Sequence, residues 1–323
     1  MSIFYILLGF LLLVFGGDFL VKSSVGLSFK FNLSKLVIGM TVVSFATSAP
    51  ELIVSLKAAL AGSADMALSN VIGSNIANIA LVLGITAIIS SITVDKSFFK
   101  LNWPVMLFFS FLLFWFLKND LLLSRAEGII LFVLLIIFIV YMIWNARKSN
   151  QKETITDLDD ELDDDLEQVG YGKIFLWLIL GAAALYFGSE FLVKGAKEIA
   201  RSLNISEGVI GLTVIAIGTS VPELAASVIA AIKGEKAISL GNLIGSNIFN
   251  IGSVLGLTAI ISPLKVNPIV LEKDIYWMIA IAFILLPLSL IPKKYNISRY
   301  KGVLLFGTYV LFIYLAFKSG SIT

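Results

Sequence analysis

The stretch NVIGSNIANIALVLGITAIIS, residues 70–90, returns as NLIGSNIFNIGSVLGLTAIIS at residues 242–262, an offset of 172. Toward the N-terminus the same offset pairs TSAPEL (47–52) with TSVPEL (219–224), and FGGDFLVK (15–22) with FGSEFLVK (187–194). Residues 15–90 align on 187–262 without a gap, and 39 of the 76 positions are identical. A period this long lies far beyond the 20–50 residues of solenoid repeats. The chain is a duplicated unit, not an array.

The material of each unit is apolar. Of 323 residues, 58% are hydrophobic and 14% charged, with a mean hydropathy of +0.97; soluble domains carry about a quarter charged residues. Runs such as Ile3–Val21, Val105–Leu117 and Ile129–Trp144 approach the roughly 20 residues a bilayer span requires. The first run lacks a basic leader and a small-residue cleavage site, so it reads as a span, not a signal peptide. The pattern predicts helices near 3–21, 36–60, 66–90, 103–118 and 127–145, then 174–193, 208–232, 237–262, 275–292 and 302–318. Five crossings per unit is an odd number, so the second copy must lie upside down relative to the first. The expectation is an all-α polytopic membrane protein, ten transmembrane helices arranged as two inverted-topology five-helix repeats. The first repeat is 1–145, an acidic cytoplasmic linker follows at 146–172, and the second repeat is 173–323. Secondary transporters use this construction and bind substrate near the midplane, where the repeats meet.

With the N-terminus outside, 15 of the 24 Lys and Arg residues fall on the inner side, including Lys22, Lys30, Lys35, Arg147, Lys148, Lys293, Lys294, Arg299 and Lys301. Nine fall outside, Lys194, Lys197 and Arg201 running against the trend. The positive-inside rule therefore predicts a multi-pass plasma (inner) membrane protein with both termini outside. The five tryptophans, Trp103, Trp115, Trp144, Trp177 and Trp277, stand near predicted span ends, as an interfacial belt expects. The linker holds nine acids between Glu153 and Glu167, with Leu158, Leu162 and Leu166 at helical spacing. It reads as a solvated tether, the alternative being a low-affinity regulatory cation site.

Which chemistry remains is set partly by what is missing. With no cysteine and no histidine, disulfides, thiolate or imidazole ligands and His proton relays are excluded. A metal here must be held by oxygen, which points to hard cations. The net charge of +2 gives no reason to expect nucleic acid. Glu51 and Glu223 are repeat-mates near the middle of predicted spans, where a charge costs at least ~2.5–3.5 kcal/mol and marks function by default. A glutamate at a helix end facing water is the plain alternative, and the shared polar neighbours of both copies argue against it. Pro50 and Pro222 lack an N–H and clash one turn back, so the carbonyls of Ala46 and Gly218 lose their partners and those of Thr47 and Thr219 are disturbed. Freed carbonyls at membrane depth are tolerated only in protein or beside a cavity. Thr47, Ser48, Thr219 and Ser220 add hydroxyls beside them. Asn70, Ser74 and Asn78 recur at i, i+4 and i+8, as do Asn242, Ser246 and Asn250, and we turn these faces toward the glutamates. Gly73, Ser74 and Asn75 also read as small residues for close helix approach. Two carboxylates match one divalent or two monovalent cations. An all-protein cage of flexible oxygens favours Ca²⁺ over Mg²⁺, with Na⁺ able to use the same atoms. If the loaded site must stay near neutral, Ca²⁺ and Na⁺ are mutually exclusive, which is the logic of exchange.

Thr47-Ser48-Ala49-Pro50-Glu51-Leu52 with Gly73-Ser74-Asn75-Ile76, repeated as Gly218-Thr219-Ser220-Val221-Pro222-Glu223-Leu224 with Gly245-Ser246-Asn247-Ile248, resembles the paired α-repeats of the cation/Ca²⁺ antiporter superfamily. Within it the prokaryotic-type sodium/calcium exchanger family fits best, the α-repeats lying at 32–90 and 204–262. The resemblance implies a secondary active antiporter working by alternating access, with Na⁺ influx driving Ca²⁺ efflux. It implies cation-binding roles for Glu51, Thr47, Ser48, Ser74 and Asn78, and for Glu223, Thr219, Ser220, Ser246 and Asn250. Backbone carbonyls of Ser44 and Ala216 would join them. It further implies that the first and sixth helices, ending in FLVK at Lys22 and Lys194, slide against the core. Departures are Ala46 where the family has glycine, and Ser69 where the second copy has Gly241. Potassium-dependent relatives carry aspartate at the position of Asn250, so neutral asparagine argues against K⁺ cotransport. Proton/Ca²⁺ relatives have an Asn-containing motif in place of Thr-Ser. A K⁺-dependent exchanger, an H⁺/Ca²⁺ exchanger and a passive cation channel are the competing transport readings. Without a nucleophile or nucleotide motif no enzyme is expected. No cofactor and no protein partner are expected beyond the lipid bilayer and the transported ions Na⁺ and Ca²⁺.

Overall fold

The structure is a computed structural model that describes residues 1–94, 98–150, 166–203, 216–266, 268, 270–292 and 294–318. Among these, nine helices are long and apolar enough to cross a membrane. They are α1 (Ser2–Phe31), α2 (Lys35–Leu60), α3 (Ala64–Ile89), α4 (Phe98–Asp120), α5 (Arg125–Asn150), α6 (Tyr171–Ser202), α8 (Lys236–Ile261), α9 (Val270–Leu290) and α10 (Arg299–Lys318). Between α6 and α8 lies α7, two described segments, Ala216–Thr219 and Val221–Ile232. The linker's Leu158 and Leu162, and 204–215 of the second α-repeat, fall outside the described residues. Four two-residue strands complete the fold: β1 (Ile92–Thr93), β2 (Leu122–Leu123), β3 (Leu264–Lys265) and β4 (Asn296–Ile297).

Helix ends follow local chemistry. Asn32 stops α1 in the left-handed region at φ 51°, its N–H bonding back to Phe29 and Ser28, and the Ser34 hydroxyl accepts from Val37 N to open α2. The α2–α3 and α7–α8 turns each need a left-handed residue, supplied by Gly62 (φ 81°) and Gly234 (φ 88°), where a β-carbon would be strained.

Two helices run past their expected ends. α1 reaches Phe31 instead of 21, and α6 reaches Ser202 instead of 193, so FLVK lies inside each helix and does not close it. The polar turn after Lys22 stays helical because its hydroxyls turn inward on the helix: Ser23 and Ser24 donate to Leu20 O (2.8 and 2.6 Å) and Ser28 to Val25 O (2.7 Å). Lys22 pairs with Asp18 one turn earlier. A 30-residue helix is about 45 Å long, well over the ~30 Å hydrocarbon layer, so α1 must tilt. It runs antiparallel to α6 along a seam of glycines. Gly9 meets Gly188 and Gly16 meets Gly181; a β-carbon on Gly9 would lie 2.7 Å from Leu192 N, and one on Gly16 2.8 Å from Leu185 N.

The halves interlock instead of standing side by side. α3 crosses α10 at Gly84 and Gly302, and α5 crosses α8 at Gly128 and Gly256. β1 pairs antiparallel with β4 (Ile92 opposite Ile297), and β2 with β3 (Leu123 opposite Leu264). Each strand of the first half therefore clasps one of the second. α3 and α8 form the buried centre, while α1, α5 and α6 turn most of their surface outward. The outer face carries exposed Phe10, Phe15, Ile137, Val140, Phe187 and Val310, while Ser44, Glu51, Asn78, Glu223, Asn242 and Asn250 are buried. Such an apolar surface is unusual in water and natural in lipid. Trp115 and Trp144 are exposed near span ends, as expected of a belt. Trp103 departs from that expectation: its indole N–H turns inward to Ala282 O at 2.9 Å.

Candidate cation site

Two backbone irregularities bracket the predicted residues on α2. A wide π-helical turn at Gly39–Val43 delivers Ser44, whose hydroxyl reaches Gly39 O five residues back and Asn242 O of the other half, both at 2.9 Å. Pro50 then sits inside a helix that continues to Leu60. In the second copy the same sequence breaks the helix outright. Ser220 leaves helical geometry (φ −92°, ψ 4°) and α7 restarts at Val221. Pro50 is therefore accommodated within a continuous helix, whereas the helix around Pro222 is interrupted just before it.

Glu51 and Glu223 come together from the two halves. Both are fully buried and their carboxylates are close enough to repel each other. The Thr47 and Ser48 hydroxyls of the first half lie beside the Glu223 carboxylate of the second. Asn78 and Asn250 begin a matching pair of π-helical turns, Asn78–Val82 and Asn250–Leu255. Sequence reading missed these turns; a π turn inside a transmembrane helix leaves no composition signal, although such turns gather at functional sites.

The hydrogen-bond account singles out the same residues. Fourteen buried side-chain polar atoms have no partner among the described residues, and ten belong to the predicted set: Ser48 Oγ, both Glu51 oxygens, Ser74 Oγ, Asn78 Oδ1 and Nδ2, Ser220 Oγ, both Glu223 oxygens and Asn250 Oδ1. An orphaned buried polar atom costs roughly 1–3 kcal/mol, so concentrating them in one place implies a ligand that completes them. Nine of the ten are oxygens, and no cationic side chain is among them. Such a set suits a dehydrated hard cation.

The remaining predicted residues are held in place by one another. Thr47 donates to Asn242 Oδ1 at 3.1 Å and meets Ser246 Oγ at 3.4 Å, while Ser246 approaches Asn242 Oδ1 at 3.4 Å. Asn242 is anchored in turn on Ser227 at 3.0 Å, as its repeat-mate Asn70 is on Ser55 at 3.1 Å. Thr219 is half-buried at the break in α7. The Ser44 carbonyl lies 3.5 Å from the Thr47 hydroxyl, and Ala216 opens the first segment of α7. Asn75, read from sequence only as a packing residue, accepts from Asn250 Nδ2 at 3.0 Å and donates to Asn247 O at 3.2 Å. With its amide nitrogen so used, Asn250 leaves its oxygen facing the orphaned group.

A cavity of about 410 Å³ reaches Pro50, Gly218 and Thr219 from the side of the molecule that carries Glu190, Lys194 and Arg201. Pro50, which lines it, directly precedes Glu51 in the chain.

Known proteins bear on this geometry. The family model described as sodium/calcium exchanger protein matches residues 1–144 and 173–318. The putative antiporter CaxA of Alkalimonas amylolytica is 39% identical over 98% of both chains. The sodium/calcium exchanger MaX1 of Methanosarcina acetivorans is 33% identical over 97% of both. Among solved structures, the sodium-calcium exchanger NCX_Mj soaked with Na⁺ and Ca²⁺ superimposes with a TM-score of 0.80 at 32% identity, covering 96% of each chain. With its membrane helices, its duplicated Thr-Ser-x-Pro-Glu segments and these likenesses over nearly its whole length, the chain belongs to the sodium/calcium exchanger family of cation/Ca²⁺ antiporters.

Proposed function

We propose that this protein exchanges Na⁺ for Ca²⁺ across the plasma membrane by alternating access, Na⁺ influx driving Ca²⁺ efflux. The observation that carries the reading is the group of orphaned oxygens around Glu51 and Glu223. Two carboxylates surrounded by hydroxyl and amide oxygens balance one Ca²⁺, or Na⁺ ions in its place, and not both at once. The ligands are Glu51, Thr47, Ser48, Ser74 and Asn78 with the Ser44 carbonyl, and Glu223, Thr219, Ser220, Ser246 and Asn250 with the Ala216 carbonyl. Neutral Asn250 supports exchange without K⁺.

The same reading includes ten crossings in two inverted repeats, 1–145 and 173–323, joined by a cytoplasmic linker. Contacts between distant segments support it. With α7 counted as a crossing, each contact joins points separated by an even number of spans: Ser2 with Glu198, Lys30 with Glu167, Lys35 with Glu235, β1 with β4, and β2 with β3. The excess of basic residues on the linker side supports an outer N-terminus.

The test is Na⁺-gradient-driven ⁴⁵Ca²⁺ flux in proteoliposomes, with and without K⁺. Unaltered protein should exchange equally well in both. Glu51→Gln and Glu223→Gln should each lower exchange by about a hundredfold or more, since the buried cation then lacks one of its two counter-charges and breaking a buried pair of opposite charges costs roughly 3–5 kcal/mol. Full exchange by either variant would remove the two-carboxylate mechanism, and flux driven by a proton gradient without Na⁺ would remove the sodium reading.

A further inference from the structure

The duplication brings each long helix against the α-repeat core of the other half, and the two copies of that contact are in different states. On one side α1 lies flat on α7. A β-carbon on Gly17 would collide with Ile229 and come 3.3 Å from Ala225 O, and Ala226 is only 2% exposed. Asp18, the next residue, pairs with Lys22 at 2.8 Å and with Lys233, the residue that follows α7. On the other side the repeat-mates of Gly17, Asp18, Ala226 and Lys233 are Ser189, Glu190, Val54 and Ala61. There α6 stands away from α2 across the cavity of about 410 Å³ that Val54, Ser189 and Glu190 line. Val54 is 37% exposed. Among the described residues Glu190 has no ion pair or hydrogen bond. Lys194, the mate of Lys22, turns instead to Tyr5, 3.1 Å from its hydroxyl and 4.1 Å from its ring centroid.

We infer that Asp18 and Lys233, with Lys22 behind them, form an ion-pair latch that holds the α1–α7 side of the exchanger closed while the α6–α2 side is open. The inference rests on the alternating-access reading above. Exchanging the two sides parts α1 from α7 and so separates Asp18 from Lys233. In the reversed arrangement Glu190 faces Ala61 where Asp18 has Lys233, and the cation nearest on α2 is Lys57, the repeat-mate of Ile229. The Asp18–Lys233 pair is therefore not repeated residue for residue in the other copy, and it stabilises the arrangement described here. Asp18 and Lys233 are positioning residues: they touch no transported ion and set which side opens.

The chain has no cysteine, so single cysteines report accessibility without a background. Val54→Cys and Ala226→Cys are repeat-mates, one lining the open cavity and one beneath the latch. In lipid nanodiscs a polar maleimide should label the first quickly and the second slowly. Asp18→Asn or Lys233→Gln should speed labelling at position 226 by about 1.5–5-fold, the range of a partly exposed ion pair, and slow it at position 54. The charge swap Asp18→Lys with Lys233→Asp should restore the original pattern. Choline chloride at about 1 M, which shortens the screening length to roughly 3 Å, should speed labelling at 226 with the latch residues unaltered. Labelling at 226 that responds neither to Asp18→Asn nor to salt overturns the latch, as does a charge swap that behaves like the single variants. If unaltered protein fails to exchange Na⁺ for Ca²⁺ yet shows these labelling shifts, the ion assignment falls and the latch stands.

Discussion

Gly245 and Gly73 hold the same place in the two copies, and among the described residues only Gly245 is pressed against a neighbour. A β-carbon on Gly245 would lie 2.6 Å from Met40 O and collide with Ser44 Oγ, whereas on Gly73 no described atom comes within 4 Å. The close approach at Gly245 lets Ser44 reach Asn242 O and Thr47 reach Asn242 and Ser246. Gly245→Ala must therefore push α8 from α2 and spread the oxygens that Thr47 and Ser246 contribute. The expected outcome is a loss of about 1–3 kcal/mol of stability, as for other overpacked contacts, and at least a tenfold fall in Ca²⁺ flux. An undiminished Ca²⁺ flux in Gly245→Ala would show that the site does not depend on the α2–α8 crossing. At this scale much was legible in the sequence. The duplicated glutamates, hydroxyls and asparagines could be picked out because polar residues at membrane depth have few reasons to exist. Asn75 was not legible as an orienting residue, because small polar residues beside Gly-Ser serve packing just as well.

Among the elements, α1 and α6 teach the most. Their length was not legible, since a window of apolar residues ends where Lys22 and Lys194 appear, and the backbone does not. In α1, serines that bond within their own helix, and an ion pair one turn apart, keep the polar continuation helical. The glycine seam does leave a trace, Gly9 and Gly16 in one helix and Gly181, Gly188 and Gly195 in the other, each seven residues apart. In lipid, helices gain nothing from burying apolar side chains against each other, so close backbone packing carries association. Gly16→Leu or Gly188→Leu should separate α1 from α6 and lower the melting temperature in detergent by several degrees. Gly307→Leu, on an exposed face of α10 with no described atom within 4 Å of the added carbon, should leave it unchanged. A fall as large for Gly307 as for Gly16 would show that the loss reflects helix propensity or side-chain bulk, not the seam.

For the whole molecule, the internal repeat led to two copies, and hydropathy with an odd number of crossings per repeat to their opposite orientation, but neither to the way the copies interlock. Hydrophobic periodicity says nothing about which helix of one half meets which of the other. The answer lies in contacts between distant segments, Gly84 with Gly302, Gly128 with Gly256, and the two strand clasps. Those clasps also fix a consequence for topology. β2 and β3 must share one face of the membrane, β1 and β4 the other, if α4 through α9 all cross it. Single cysteines at Asp120 and Lys265, beside the first clasp, should then react with an impermeant maleimide in intact cells. Cysteines at Thr93 and Tyr295, beside the second, and at Lys148 at the end of α5, should react only after permeabilisation. Sharing of sides within each clasp with the two faces exchanged would keep the ten-span plan and reverse its orientation. A clasp whose two positions fell on opposite faces would break the plan itself, because two strands hydrogen-bonded to each other cannot be separated by a bilayer.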